Sequence, residues 1–251
     1  MFRIIDGIRR INGNSYLNAQ LWELKYAMTF RDTVTIDSWF NLERESISLG
    51  RSAVGYNYYY VCYRILNEMK PNSILEMGLG QSTKLLNSYA QHFNCEHTVI
   101  EHDEEWKDYY ETVNPVSQNT KIELIPLKYE YKKIGEGGYN FIRYNEGLLK
   151  NAINGKKFDL ISIDGPFGDQ NRKAFKKSYS RVDILDYLPQ CLCKDFVILM
   201  DDYNRKGEKN TVFEIEKALR NGNILYDKGI YIGETTLCVI TSKNWRFLCT
   251  L

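Results

Sequence analysis

Apolar residues recur at two spacings along the chain, and each spacing predicts a different kind of element. Helical spacing covers residues 17–30, and an apolar, aromatic run over residues 54–69 stops at Pro71, so both stretches are predicted helices. Short, nearly continuous apolar runs instead predict buried strands. The predicted strands are residues 73–77, 96–103, 121–126, 158–163, 196–203, 224–227 and 235–241.

Amphipathic patterns between these strands predict further helices at residues 81–92, 104–112 and 210–220. Strands that alternate with helices predict an α/β fold with a doubly wound, mostly parallel, seven-stranded sheet. We expect residues 1–70 to form an N-terminal helical cap and residues 71–251 to form the main domain. The stretch 127–155 is interrupted by glycines, and beyond a helix near residues 144–153 its pattern predicts nothing definite.

Composition excludes several kinds of partner. Lys and Arg number 33 against 32 Asp and Glu, so the net charge of +1 favours neither nucleic acid nor an acidic membrane surface. The six cysteines show no C-x-x-C spacing and lie mostly in apolar runs, which indicates reduced core residues in a cytoplasmic protein. No apolar run approaches the roughly 20 residues that a membrane span requires.

The first predicted strand ends in a glycine turn that opens the next helix. Gly78 and Gly80 allow the backbone to turn sharply and to approach a ligand closely. A nicotinamide fingerprint would have a third small residue where Thr83 stands, and the nearby carboxylate of Glu76 would serve a pyrophosphate poorly. A nicotinamide enzyme is therefore the least favoured interpretation.

The pattern E-x-G-x-G-x-S over residues 76–82 resembles motif I of the class I S-adenosylmethionine-dependent methyltransferases. The resemblance implies a Rossmann-like methyltransferase fold with S-adenosylmethionine as the cofactor. It further implies that Gly78, Gly80 and Ser82 lie at the cofactor site and that Glu76 reaches the cationic methionine end of the cofactor, directly or through water.

A second acid fits the ribose end of such a cofactor. Glu101 lies near the end of the second predicted strand, 25 residues after Glu76, close to the ~20-residue spacing of the carboxylate that binds both ribose hydroxyls. The alternative is that Glu101 caps the next helix, but Asp103 already suits that position. His102, beside Glu101, is expected to contact the cofactor or to be exposed.

Carboxylates also end two later strands. Asp164 follows the buried run 158–163, and Asp201 and Asp202 follow the run that starts at residue 196. If these strands are neighbours, the three acids converge at one edge of the sheet, where α/β folds keep their chemistry. Three mutually repelling carboxylates suit a hard divalent cation such as Mg²⁺, which would lower the pKa of an attacking hydroxyl. The alternative is that Asp164 is an ordinary strand-end acid and that the Asp pair caps a loop.

The segments I-D-G-P-F-G-D and I-L-M-D-D-Y-N-R resemble the metal-dependent O-methyltransferases that modify sugars on antibiotics and polysaccharides. The layout is also similar to that of the plant glucuronoxylan methyltransferases. The resemblance covers roughly residues 73–203 and implies a carbohydrate acceptor, with Asp164, Asp201 and Asp202 as ligands of a divalent metal. We predict that Asp164 also serves catalysis and the cofactor.

The stretch 168–181 departs from these relatives because it is long and basic. Its cations are Arg172, Lys173, Lys176, Lys177 and Arg181. They either bind a phosphate or a uronate on the acceptor or form a solvated, charged helix face. Asp169, just beyond Asp164, is the first candidate for a general base, and His102 is the second.

Three alternative functions stay open on the sequence. One is metal-independent methylation of a small non-sugar acceptor. Another is aminopropyl transfer, as in the polyamine synthases, although the paired acids at residues 201–202 have no role there. The third is a cofactor-binding scaffold without activity. The N-terminal helices are expected either to cover the substrate or to form a contact between copies in a homo-oligomer.

Overall fold

A computed structural model of the chain describes residues 2–35, 38–42, 47, 53–134, 137–166 and 179–250. Within these residues the α-helices are α1 (Phe2–Thr33), α2 (Tyr56–Met69), α3 (Gln81–Phe93), α4 (Glu104–Val113), α5 (Glu146–Ile153) and α6 (Lys206–Asn221). The strands are β1 (Ser73–Met77), β2 (Glu96–Glu101), β3 (Thr120–Leu124), β4 (Leu127–Ile134), β5 (Gly137–Tyr144), β6 (Phe158–Ile163), β7 (Leu192–Met200), β8 (Tyr226–Ile232) and β9 (Thr236–Ser242). Short 3-10 helices occupy Asp183–Asp186 and Lys243–Cys249.

The main sheet has seven strands in the order β3-β2-β1-β6-β7-β9-β8. β1 pairs in parallel with β2 and β6, and the parallel pairing continues outward from β2 to β3 and from β6 to β7. β9 runs antiparallel to both of its neighbours, β7 and β8. The doubly wound, mostly parallel, seven-stranded sheet expected from the sequence is confirmed.

Apolar side chains fill the space on both faces of this sheet, because its central strands are buried on two sides. On one face, α1, α2 and α3 pack with Ile74 of β1 in one core cluster. On the other face, α5 and α6 pack with Leu75 and Met77 in a second cluster. The N-terminal helices thus share a core with the sheet, and a domain division at residue 70 stays a prediction.

The stretch that the sequence left unassigned forms an antiparallel hairpin of β4 and β5. Leu127, Tyr129 and Tyr131 of β4 alternate with charged residues, which is a strand pattern, although both tyrosines are exposed. Because the hairpin follows β3, it leaves the sheet at the edge where the parallel strands end. Ile134 near its tip packs against Tyr179 and Val182.

A buried carboxylate on α1 ties this helix to the body of the protein. Glu23 accepts the backbone N–H of Tyr56 at the start of α2 and, at 3.0 Å, that of Glu234 in the turn between β8 and β9. Gly55 and Gly233 leave room for the Glu23 carboxylate, because an added Cβ would lie 2.8 Å and 2.3 Å from its oxygens.

In the described part of the chain, no helix is long and apolar enough to cross a membrane.

We expect Glu23→Gln to lower the free energy of unfolding by about 1–3 kcal/mol, because a glutamine cannot accept both N–H groups without aiming its own amide hydrogens at one of them. Urea or thermal unfolding would measure the difference. The matched control is Asp32→Asn, an exposed position on the same helix. Equal stability of the two variants would contradict the role of Glu23.

Candidate functional site

A cavity lies where the strand order of the main sheet reverses. β1 and β6 are neighbours in the sheet, although β2 to β5 lie between them in the sequence. Doubly wound sheets bind ligands at this point, beyond the carboxyl ends of the strands. The cavity has a volume of about 700 Å³, which is typical of small-molecule sites. Its walls include residues 78–82 after β1, 101–103 after β2 and 164–166 after β6.

The floor of the cavity depends on two glycines in contact. Gly78 has φ +105°, a conformation that favours glycine, and its N–H donates to the carbonyl of Ile100 at 2.9 Å. A Cβ on Gly78 would lie 3.0 Å from the backbone N of Gly165. A Cβ on Gly165 would lie 2.9 Å from the Cα of Gly78 and 2.8 Å from the Tyr144 hydroxyl. The turns after β1 and β6 can therefore meet only without side chains.

Glu101 organises the second wall. One of its oxygens accepts the backbone N–H of Leu79 at 2.9 Å, and the other accepts those of His102 and Asp103 at 2.6 Å and 2.8 Å. Burial alone would raise the pKa of Glu101, but the His102 side chain and these backbone N–H groups together hold it below its ordinary value. Glu101 is thus an ionised carboxylate at the cavity wall.

Glu76 lies beneath the glycine turn, and it is not among the residues that line the cavity within the described chain. Its two oxygens contact the Ser82 hydroxyl at 2.6 Å and Nε2 of His97 at 3.1 Å. The side chain is almost fully buried. Glu76 therefore holds Ser82, which does line the cavity, and direct contact of Glu76 with a cofactor stays a prediction.

The three predicted acids meet where β6 and β7 end, beside the turn that contacts Gly78. One oxygen from each of Asp164, Asp201 and Asp202 lies within 4.8 Å of the others. Asp164 and Asp202 line the cavity, and Asp201 lies buried beside them with the Thr235 hydroxyl donating to it at 2.9 Å. Neighbouring strands β6 and β7 bring the acids together, as expected from the buried apolar runs that precede them.

A buried arginine already stands among these carboxylates. The guanidinium of Arg181 lies 2.9 Å from Asp164 and 2.8 Å from Asp202, and it donates to the backbone carbonyl of Asp201 at 2.9 Å. Arg181 and Asp202 both have left-handed backbones, with φ of 56° and 58°. Non-glycine residues rarely adopt this conformation, and it concentrates at sites that position side chains for function.

The arginine does not neutralise the cluster fully. The pKa of Asp164 is raised to about 8, mainly by burial; Arg181 opposes this shift, and the nearby Asp201 and Asp202 add to it. Burial and then Asp202 raise the pKa of Asp201 to about 6. A metal-free cluster therefore retains protons near neutral pH that an additional cation would displace.

Among the residues proposed from the sequence for this site, Gly78, Gly80, Ser82, Glu101, His102, Asp164 and Asp202 line the cavity. Asp169 and the cations at 172, 173, 176 and 177 lie outside the described residues, so their roles stay predictions. With those cations, Arg181 was expected either to bind an anionic group on the acceptor or to lie on a solvated, charged face; instead it is buried, and its donors are directed at Asp164 and Asp202. No pattern in the sequence signals that pairing.

The residues of the cavity wall that were missed from the sequence include Trp106, Tyr144 and Arg205. Trp106, in the first turn of α4, donates from Nε1 to the Leu79 carbonyl at 2.8 Å and keeps about a third of its surface exposed. Arg205 precedes α6 and contacts Asp202 at 2.6 Å. Aromatic and basic residues are common at the ends of helices and strands, so only the folded chain distinguishes these three as cavity residues.

No protein-family model matches the sequence, and no curated protein does either. Solved structures do resemble the fold. A candidate O-methyltransferase from Klebsiella pneumoniae is 14% identical, with a TM-score of 0.52 over 89% of this chain and 98% of that one. The S-adenosylhomocysteine-bound Podospora anserina methyltransferase PaMTH1 is 15% identical, with a TM-score of 0.45 over 95% and 96% of the chains. A Geobacter metallireducens precorrin-6y methyltransferase is 11% identical, with a TM-score of 0.49 over 83% and 100%. The first of these, together with the sheet order, identifies the fold as Rossmann-like, of the methyltransferase type.

Proposed function

We propose that this chain is an enzyme that transfers the methyl group of S-adenosylmethionine to a hydroxyl of a sugar-type acceptor, assisted by a divalent cation. The observation that supports this proposal is that one cavity contacts two groups of residues with different chemistry. A glycine turn and an ionised carboxylate, Glu101, form one end, and the cluster of Asp164, Asp201 and Asp202 forms the other.

The first end suits a nucleoside with a cationic amino-acid tail. Glu101 uses one acceptor position of its Oε2 atom for Leu79, and a carboxylate oxygen can accept a second hydrogen bond, here from a ribose hydroxyl. The exposed part of the Trp106 ring offers a flat apolar surface for an adenine. Gly80 carries no side chain, and an added Cβ there would meet open space, so a ligand can approach its backbone.

The second end suits a hard divalent cation such as Mg²⁺. Its donors are carboxylate oxygens, and their raised pKa values mean that burial and mutual repulsion are incompletely compensated by Arg181. Asp164, Asp201 and Asp202 would hold the cation. When bound, such a cation lowers the pKa of a coordinated hydroxyl and so supplies the nucleophile.

The protein's own residues would orient the acceptor between the two ends. Asp164 stands next to the glycine turn, at the junction of the cofactor and acid ends, so a hydroxyl near it would lie close to the cofactor's methyl group. Arg205, half exposed at the wall, is available to an anionic group on the acceptor. The general base, with Asp169 as first candidate, stays a prediction. O-methylation agrees with the Klebsiella protein, with which this chain shares the fold.

A second candidate function is methyl transfer without a metal. It is favoured by one observation, the placement of the Arg181 guanidinium against Asp164 and Asp202, which supplies part of the missing positive charge. In this case Asp164 itself would accept the proton from the acceptor. Full activity after exhaustive chelation would favour this candidate over the first.

Calorimetric titration with S-adenosylhomocysteine, with and without Mg²⁺, tests the cofactor end first. We expect wild-type binding, and for Glu101→Gln a loss of roughly 10–100-fold in affinity, because a charged hydrogen-bond acceptor is removed. The control is Glu96→Gln, an exposed position at the other end of β2. Failure of the wild type to bind S-adenosylhomocysteine would overturn the proposal.

A methyl-transfer assay with S-adenosylmethionine as the donor and a panel of nucleotide sugars and small phenols then identifies the acceptor. Decarboxylated S-adenosylmethionine with a polyamine in the same assay detects aminopropyl transfer instead. Cofactor binding without turnover on any acceptor would indicate a scaffold.

A further inference from the structure

The outward face of α1 carries a stripe of large apolar residues that the described part of the chain leaves uncovered. Leu17, Leu21, Leu24 and Met28 are 59%, 64%, 57% and 59% exposed; we call them the outer stripe. Isolated exposed leucines are ordinary, but a contiguous exposed patch on one helix marks an interaction surface. The proposed methyl-transfer site does not involve this face.

The outer stripe is separate from the face that α1 uses within its own chain. Glu23, Tyr26 and Phe30 are buried against the body of the protein. At 3.6 residues per turn, these buried residues are centred roughly 160° around the helix from the outer stripe. The helix is therefore apolar on two opposite sides, and the second side needs a partner outside the fold.

The spacing of the outer stripe indicates the kind of partner. Its residues follow each other at intervals of four, three and four, which is the a/d spacing of a coiled coil. They fall within an arc of about 60°, whereas helices that lie on membranes present a wider apolar face of about 100° or more. Polar residues border the stripe on both sides, Asn18 and Lys25 on one and Gln20 and Arg31 on the other. They separate it from the exposed rings of Tyr16 and Trp22. A narrow stripe with polar borders fits another helix better than a lipid surface.

The intervals of four, three and four read the same in both directions along the helix. An antiparallel second copy of the helix therefore presents the same spacing, so the partner that fits is a second copy of the chain. About a twofold axis between residues 22 and 23, Leu17 of one copy meets Met28 of the other, and Leu21 meets Leu24. Every member of the stripe is thereby paired with another member, as an isologous contact requires. We propose that α1 forms an antiparallel contact between two copies of this protein through the outer stripe.

The area available fits a weak but specific dimer. Each side chain of the outer stripe has about 100 Å² of solvent-accessible surface. With the stems of the polar residues beside them, two copies would bury roughly 1,000–1,200 Å², at the lower limit of specific interfaces. The dimer should therefore dissociate in the micromolar range.

Sedimentation velocity across a concentration series tests the contact. We expect the wild type to reach twice the monomer mass by roughly 100 µM, and Leu21→Glu to remain monomeric because the dimer would bury two added charges opposite leucines. Asn18→Glu adds the same charge to an exposed position outside the stripe and should still dimerise. Circular dichroism and S-adenosylhomocysteine binding equal to those of the wild type would confirm that Leu21→Glu is folded.

Cysteine crosslinking tests the orientation. In the antiparallel arrangement, a mixture of Leu21→Cys and Leu24→Cys proteins should form a heterodimeric disulfide. Leu17→Cys alone should not crosslink to itself, because its two copies would be about 16 Å apart along the helices. Monomeric wild type at all concentrations, an unaffected Leu21→Glu dimer, or efficient Leu17→Cys self-crosslinking would overturn the proposal. So would a monomer that binds phosphatidylserine vesicles through Leu21.

Discussion

Asp201→Asn is expected to lower methyl transfer by roughly 100-fold or more while it leaves the affinity for S-adenosylhomocysteine nearly unchanged. The substitution keeps the shape of the side chain and an oxygen that can accept the Thr235 hydroxyl. It removes one negative charge from a cluster in which the acid oxygens lie within 4.8 Å of each other. Asp201 is not among the residues that line the cavity, so the cofactor end should be unaffected.

A binding measurement tests the same substitution without an acceptor. Mg²⁺ should raise the melting temperature of the wild type and should have little effect on Asp201→Asn. The pKa of Asp201 is raised to about 6 in the folded protein, so its ionised form opposes folding at pH 8. The metal-free variant should therefore melt no lower than the metal-free wild type at that pH.

Asp195→Asn is the matched control, since Asp195 lies on the same strand, β7, nearer its amino end and away from the cavity. Its response to Mg²⁺ and its turnover should equal those of the wild type. Wild-type rates for Asp201→Asn, or a Mg²⁺ response that survives in it, would exclude Asp201 as a metal ligand.

Gly78→Ala should cost about 2–4 kcal/mol of unfolding free energy and lower S-adenosylhomocysteine affinity by roughly 10-fold or more. Two effects add at this position. Alanine is disfavoured at φ +105°, and its Cβ would lie 3.0 Å from the backbone nitrogen of Gly165, which cannot move aside as a side chain could. The turns after β1 and β6 would have to separate, and the cavity floor would change with them.

Two other glycines separate these effects. Gly155 also has a positive φ, of 76°, but an added Cβ would meet nothing within 4 Å, so Gly155→Ala should cost only about 1 kcal/mol and leave ligand affinity unchanged. Gly80 has an extended backbone and open space around it. Gly80→Ala should therefore keep wild-type stability and weaken only ligand binding. Equal stability of Gly78→Ala and Gly155→Ala would show that the contact with Gly165 is unimportant.

Apolar runs made most of the fold predictable. The predicted limits of β1 and β6 agree with the structure, because each is a short run of buried residues bounded by polar residues or glycine. β7 begins at Leu192, four residues before its predicted start, because Lys194 and Asp195 interrupt the apolar pattern on a part of the strand that is less deeply buried. The β4–β5 hairpin was missed although Tyr129 and Tyr131 alternate with charged residues, because glycines at 135, 137 and 138 interrupt the stretch.

The site residues at the ends of strands could be predicted from the sequence. The ion pairs and hydrogen bonds between residues far apart in the sequence could not. Asp164 and Asp202 were found because the carboxyl ends of neighbouring parallel strands share an edge. Arg181 was read as part of a basic surface, yet its partners lie 17 and 21 residues away in sequence and are reached through a left-handed turn. Glu76 matched a motif, but its contact with Ser82 depends on the packing of α3 on the sheet, and its contact with His97 depends on the pairing of β1 with β2.

The tie between Glu23 and the turn before β9 has a consequence for how the chain matures during synthesis. The N–H of Glu234 reaches its acceptor from 211 residues further along, and β9, which follows β8 in the sequence, lies between β7 and β8 in the finished sheet. A ribosome delivers residues 2–33 before residue 234, so α1 lacks one of its anchors until residue 234 has emerged. The final docking of α1 is thus a late event, and a chain stalled before residue 234 would lack the hydrogen bond from Glu234 to Glu23.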